Sequence, residues 1–279
     1  MKKVLIISDL TCYGEINMLP TIQILSAFDL EIAIMPTSIT SSIYQLGDEN
    51  YISLTDQMEK TIEHYREEHI KFDCIYTGYL NEKAQFDNVI KAKETLLEDN
   101  GLFIVDPKMG RGGNLYKQFD EDIIVGMMDI SSIADYVIPN ITEAMLLTHN
   151  SKYQDIQDDY YINELIADLY RNGAKNVVLT SVQDDSYSIG CISYDGLTKT
   201  TVLKEKMEGE FKGTGDIFKA FIVGSIISGK TIKDSMDMAC DFVMDSIEDT
   251  FIDQNHNHAI KFEEALAKYT HIKPNPGWE

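Results

Sequence analysis

Gly213-Thr214-Gly215-Asp216-Ile217-Phe218-Lys219-Ala220-Phe221-Ile222-Val223 is the stretch on which the reading of this chain turns. The apolar residues from Ile217 continue directly as a helix, and two glycines stand at its start. Glycine lets bare backbone N–H groups approach an anion, and the positive end of the helix dipole favours phosphate there. Asp216 lies in the same turn, and a carboxylate beside a phosphate cradle can take a proton from an attacking hydroxyl. A plainer reading is a helix N-terminus with Thr214 as its cap and Asp216 as a first-turn acid. For an isolated GxGD the plainer reading wins, so the rest of the chain decides.

Immediately downstream, Gly224-Ser225-Ile226-Ile227-Ser228-Gly229-Lys230-Thr231 matches the phosphate-loop pattern GxxxxGK[ST]. Too little chain follows for the strands and the magnesium-binding aspartate that such a domain uses. Ile226 and Ile227 extend the apolar face of 214–228, and Gly229 falls where a helix C-cap belongs. The match is read as accidental, with Lys230 an exposed cation after a helix end.

Upstream, short β-rich runs alternate with amphipathic stretches, the pattern of βα units and a mostly parallel sheet. The expected strands are 3–8, 31–36, 72–77, 102–105, 135–138, 175–181, 187–194 and 198–204. Helices are expected over 17–29, 55–69, 82–99, 119–129, 141–149, 160–172, 214–228, 231–249 and 258–267. Four strands end directly in polar or turn residues: Ile7-Ser8-Asp9, Val105-Asp106-Pro107, Ile138-Pro139-Asn140 and Leu179-Thr180-Ser181. In open α/β sheets ligands sit at carboxyl strand ends, so these four ends are expected to share a crevice. The pair 187–194 and 198–204, joined around Asp195-Gly196, reads as a late edge hairpin. Residues 37–54 read as a hydroxyl-rich loop, and 107–118 as a glycine-rich loop carrying Lys108 and Arg111. The chain ends in a stretch, 271–279, that two prolines incline to an extended tail bearing Trp278.

With 279 residues, 44% of them hydrophobic, the chain can bury a substantial core. A formal charge of −22 argues against nucleic acid or an anionic membrane surface as a partner. Cys12, Cys74, Cys191 and Cys240 are scattered without a CxxC pair, so neither zinc nor a disulfide framework is indicated, and Cys12 is expected to be a buried, inert thiol. The apolar run Val4-Leu5-Ile6-Ile7 is too short for a signal peptide, and no run reaches membrane-span length. The expectation is a soluble cytoplasmic protein.

Taken in order, Ser8-Asp9, Pro36 to Ser41, Thr77-Gly78-Tyr79-Leu80, Asp106-Pro107-Lys108-Met109-Gly110, Asn140-Ile141-Thr142-Glu143, Leu179-Thr180-Ser181 and Gly213-Thr214-Gly215-Asp216 resemble the ribokinase-like superfamily, and within it the pyridoxal/pyridoxamine kinase branch. The likeness runs from about residue 3 to about residue 250. It implies one domain over 1–279, a three-layer α/β/α fold around a mostly parallel sheet, and ATP-dependent phosphorylation of the 5′-hydroxymethyl of a B6 vitamer. Asp216 then matches the catalytic base, and Gly213, Thr214 and Gly215 the anion hole. Asp106, Lys108, Thr180 and Ser181 fall to the nucleotide phosphates; Ser8, Thr37 and Tyr79 to the ring substrate. Asn140 and Glu143 match an N-x-x-E element that organises magnesium, mainly through water; they also fit a capping box. For Asp106, which ends a buried strand, an unpaired carboxylate is costly, and that favours a role near metal or phosphate. The resemblance also implies a homodimer.

Many pyridoxal kinases read Asp-Pro-Val-Met-Gly-Asp where this chain has Lys108 and Arg111, and Ile43 stands where relatives often carry a histidine. A hydroxymethylpyrimidine kinase of the same superfamily is the alternative enzyme. A ligand-binding relative without catalysis is the alternative of another class.

Overall fold

The computed structural model describes residues 1–42, 50–150, 152–209, 211–252 and 259–270. Ile43, residue 258 and the tail 271–279 lie outside these residues; the helix expected over 258–267 begins only at Glu263, since Ile260 N–H is taken by Lys212 O ahead of it. The chain alternates as the sequence predicts: β1 (Lys3–Thr11), α1 (Met18–Ala27), β2 (Glu31–Thr40), β3 (Tyr51–Ser53), α2 (Thr55–Glu67), β4 (Phe72–Thr77), α3 (Lys83–Leu96) and β5 (Leu97–Val105). After a small hairpin of β6 (Gly110–Arg111) and β7 (Asn114–Leu115) come α4 (Glu121–Ser132), β8 (Tyr136–Val137), α5 (Ile141–Leu147), α6 (Asp159–Arg171) and β9 (Val177–Val182). The last elements are β10 (Ser188–Tyr194), β11 (Lys199–Glu205), α7 (Thr214–Ile227), α8 (Ile232–Ile252) and α9 (Glu263–Tyr269).

The main sheet has the order β11-β10-β9-β8-β5-β4-β1-β2-β3. Strands β9, β8, β5, β4, β1 and β2 run parallel, and β10–β11 form the expected antiparallel edge hairpin. Strand β1 shows why both faces are covered. Leu5 and Ile7 face a core built with α2 to α6, whereas Val4 and Ile6 face one built with α1, α7, α8 and α9. Helix α7 runs through the second core, with Phe221 stacked on Phe242 at 4.8 Å between centroids and edge-on to Phe28 at 5.0 Å. Losing such a ring costs about 3–5 kcal/mol.

Three expectations change. The 37–54 segment is a hairpin at its described ends, since β2 runs on to Thr40 and pairs antiparallel with β3, Ser38 opposite Ser53 and Thr40 opposite Tyr51. Its alternation of Thr and Ile suits a pleated strand, and tertiary pairing overrides the loop-like composition. The helix expected to reach residue 99 stops at Leu96, because Leu97 pairs with Phe72 and opens β5 ahead of a register shift. In 107–118, Gly112 and Gly113 take φ of 59° and 78° and close the β6–β7 hairpin.

The phosphate-loop pattern at 224–231 is a helix end. Gly229 N–H donates to Ile226 O and Lys230 N–H to Ser225 O, with Gly229 at φ 84°, a Schellman stop.

Candidate active site

Parallel strands set the site by ending together. Along the carboxyl edge, in sheet order, lie Thr180 after Leu179, Asn140 after β8, Asp106 after β5, Gly78-Tyr79 after β4, Ser8 in β1 and Thr37 in β2. At a strand spacing of about 4.8 Å, the four steps from β9 to β1 span roughly 19 Å. The four polar strand ends therefore share one edge, as their positions in the sequence predict.

At the substrate-like end, the Ser8 hydroxyl accepts from Tyr79 N–H at 3.1 Å, and the Thr37 hydroxyl donates to Tyr79 O at 3.1 Å. Gly78 makes that approach feasible: a Cβ there would lie 2.7 Å from Ser8 Oγ. Tyr79 packs on Phe119 at 5.1 Å and accepts from Gln118 Nε2 at 2.9 Å. All three expected substrate residues thus meet, although Thr37 is fully buried and its described bond anchors the Tyr79 backbone.

Helix α7 begins at Gly213, left-handed at φ 88°, a conformation that favours glycine. Gly213 is the cap residue, and Thr214 instead donates to Phe211 O at 3.2 Å, which corrects the expectation of a Thr214 cap. A Cβ on Gly215 would find nothing within 4 Å, so open space lies beside the first-turn amides. Asp216 is mostly buried; its Oδ1 is ion-paired with Lys108 and its Oδ2 accepts from Asn17 N–H at 3.2 Å. Lys108 also donates to Asn17 Oδ1. Asn17 adopts φ 60°, which asparagine tolerates, and its Nδ2 donates to Thr11 Oγ1 at 3.3 Å. Thr11 in turn donates to Asp9 Oδ2 at 2.8 Å, leaving Asp9 Oδ1 buried with no hydrogen-bond partner among the described residues.

One helical turn below Asp216, the Lys219 ammonium reaches Asp106 Oδ1 and, at 3.2 Å, Glu143 Oε2. Asp106 is consequently paired, contrary to the expectation of an unpartnered carboxylate, because a lysine hidden in an apolar helix meets it. Tyr76 O–H also faces Asp106 Oδ2 at 3.5 Å. Asn140 and Glu143 form the full capping box of α5, Glu143 N–H to Asn140 Oδ1 at 2.9 Å and Asn140 N–H to Glu143 Oε2 at 2.7 Å. Asn140 Nδ2 is spent on Gly110 O at 3.0 Å. Thr180 N–H and hydroxyl both donate to Pro139 O, joining β9 to the Asn140 turn. Ser181 stands apart, exposed with φ 60°, and Arg111 is exposed at the β6–β7 turn. Cys12, expected to be buried, is exposed at the end of the β1 region.

Electrostatics follow from this burial. Asp9 is pushed up from the usual carboxylate range by burial, which the nearby Lys108 partly offsets. Burial likewise raises Asp106 against the pull of Lys219, and raises Glu143 to about 7. Burial disfavours charge on both lysines, yet Asp216 beside Lys108 and Asp106 beside Lys219 outweigh it and hold each above the ordinary lysine value. Lys219 is thus held as a cation between the carboxyl groups of Asp106 and Glu143. The sequence reading assigns no role to Lys219, Asp9 or Asn17. The available signal for Lys219 was a single charge inside an unbroken apolar run, since buried lysines are almost always paired.

For magnesium, Asp106 and Glu143 are hard oxygen donors of the right kind, and the described bonds of Glu143 use Oε2 alone. The Asn140 amide oxygen is committed to the cap. No cluster of three or more His, Cys, Asp or Glu suited to a metal occurs among the described residues. The donor set fits a cation approached through water.

This geometry belongs with known proteins. The pyridoxal kinase of Dictyostelium discoideum is 28% identical over 197 residues, an alignment covering 66% of this chain and 62% of that protein, so the match spans less than two thirds of the relative's length. A candidate phosphomethylpyrimidine kinase from Bacteroides thetaiotaomicron superposes with a TM-score of 0.90 at 29% identity, over 96% of this chain and 93% of that one. One crystal form of that protein contains pyridoxal. The pyridoxal kinase of Lactobacillus plantarum superposes with a TM-score of 0.87 at 25% identity, over 96% of each chain. These likenesses agree with the ribokinase-like resemblance, and since the family model described as Phosphomethylpyrimidine kinase matches residues 28–260, the chain belongs to that family.

Proposed function

We propose that this chain, as one domain over 1–279, transfers the γ-phosphoryl group of ATP to the 5′-hydroxymethyl of a B6 vitamer: pyridoxal, pyridoxamine or pyridoxine. The observation that carries the reading is Asp216 in the first turn of α7, beside open space at Gly215 and ion-paired with Lys108 two residues beyond the Asp106 strand end.

In this reading Asp216 accepts the hydroxymethyl proton as that oxygen attacks the γ-phosphorus and the bond to the β-phosphate oxygen breaks, releasing ADP. The amides of Gly213, Thr214 and Gly215 stabilise the charge on the transferring group, aided by the helix dipole. An incoming polyphosphate offers Lys108 a more highly charged partner than Asp216, freeing the carboxylate as it arrives. Thr180 borders the phosphates, a role that Ser181, exposed and apart, does not share, and Ser8, Thr37 and Tyr79 shape the ring pocket. Asp106 and Glu143 would hold a magnesium ion through water, with Asn140 fixing Glu143, and the ion would supply positive charge to offset that of the polyphosphate. The pyridoxal kinase relatives and the crystal form containing pyridoxal favour the B6 ring over hydroxymethylpyrimidine. Retention of Asp216 and both glycines argues against a non-catalytic binder.

The reading extends to a cytoplasmic homodimer. Ile39 and Ile52 face each other across the β2–β3 edge and both are exposed, which suits a partner surface. No described helix is long and apolar enough to cross a membrane.

Turnover with ATP and magnesium over pyridoxal, pyridoxamine, pyridoxine and hydroxymethylpyrimidine tests the proposal. Phosphorylation of a B6 vitamer in preference to the pyrimidine is expected. Binding of a ring compound without turnover would replace the kinase reading by the binding one.

A further inference from the structure

Lys219 has no part in the phosphoryl transfer just described, yet it is built into the site with unusual care. Its side chain is 6% exposed, against 3% for Asp106 and 1% for Glu143. It stands in a helix whose buried neighbours are Ile217, Ala220, Phe221, Ile222 and Val223. Replacing a whole buried ion triad by apolar residues of similar volume is often neutral or stabilising, so stability alone does not account for these three charges. What the lysine adds is a positive charge at one point, within hydrogen-bonding reach of two carboxylates that come from different strand ends. Two hard oxygen donors converging on one point also describe half of a divalent-cation site.

We propose that Lys219 is the resident cation of this site: its ammonium occupies the point between Asp106 and Glu143 that a divalent cation would otherwise take. Before nucleotide arrives, the pair attracts no metal of its own. Asp106 and Glu143 would then meet an ATP-borne divalent ion only through water. The inference rests on the kinase reading for its consequence, whereas its geometry stands on the triad alone.

The experiment measures binding of Mn2+ to the full chain by water-proton relaxation, with no nucleotide present. Wild type is expected to show no specific site. Lys219→Met should gain one site at least tenfold tighter than any wild-type binding. The site should disappear again in Lys219→Met/Glu143→Gln, and Lys219→Arg, which keeps the charge, should resemble wild type. A folded Lys219→Met that gains no site overturns the proposal. Should that variant not fold, wild type decides: its thermal midpoint without ATP should ignore millimolar Mg2+, and a rise that Glu143→Gln removes would refute a resident lysine cation. These readouts are independent of turnover, so a protein that phosphorylates no vitamer but follows the Mn2+ pattern loses the kinase reading and keeps this one.

Discussion

Helix α7 carries a left-handed glycine at each end, Gly213 at φ 88° and Gly229 at φ 84°, and each end matches a sequence pattern associated with phosphate. The two ends are opposites in charge. At Gly213 the chain enters the helix, its first-turn N–H groups have no partner among the described residues, and open space lies beside Gly215. At Gly229 the chain leaves it, and the amides of Gly229 and Lys230 fold back to cap Ile226 O and Ser225 O. An anion there would face the negative end of the dipole. Even the glycine that opens the second pattern serves packing: a Cβ on Gly224 would come 2.5 Å from the Phe28 ring. A glycine motif therefore speaks of phosphate only once the direction of its helix is known.

The strongest way to break the comparison is Asp216→Asn. The amide keeps the shape and loses the proton acceptor, so kcat should fall by about 10²–10⁴-fold with ATP affinity little changed. Near-normal turnover would reduce the N-terminal end to the plain capped helix that its sequence also allows.

Lys108→Ala comes next. It removes an ion pair from Asp216 and, in the proposed reaction, a charge-assisted contact to phosphate worth about 1.5–3 kcal/mol. The KM for ATP should rise about 10- to 100-fold while kcat changes less. A fall in kcat alone would make Lys108 a positioning group for Asp216 instead.

Paired glycine substitutions sharpen the contrast at smaller effect. Gly215→Ala places a methyl in open space at a helical position where alanine is favoured, so thermal stability should hold or rise slightly. The methyl crowds the cradle, and kcat/KM for ATP should drop at least about tenfold, or roughly 1.4 kcal/mol. Gly224→Ala should do the reverse. Overpacking against Phe28 costs about 1–3 kcal/mol and lowers Tm, with activity per folded molecule preserved. Identical behaviour of the two variants would mean that both ends are structural.

What the sequence made legible follows the same division between local and distant causes. The strand-end residues Ser8, Asp106, Asn140 and Thr180 could be placed because βα alternation forces parallel strands to end together. The Gly229 stop was readable because helix caps are local. Lys219 and Asn17 were missed because their partners lie far along the chain: Asp106 is 113 residues from Lys219, and Asp216 is 199 from Asn17. The β2–β3 pairing was missed for a related reason, since Thr and Ser favour both loops and strands until a neighbouring strand decides. Cys12 was misread as buried because apolar character in isolation says little about where a strand leaves the core.

Lys230→Ala is the smallest expected effect and the most direct test of the second pattern. In a true phosphate loop this lysine contacts the β- and γ-phosphates, and its loss would abolish nucleotide binding. Here its amide caps a helix end whatever the side chain is, and the side chain is exposed. Stability should change by no more than about 0.5 kcal/mol, and ATP binding measured by calorimetry should match wild type. A marked loss of affinity would move the phosphates from the beginning of α7 to its end and reverse the polarity argument. The same sample, carried through Tm and ATP titration beside Gly215→Ala, compares both ends of one helix in one experiment.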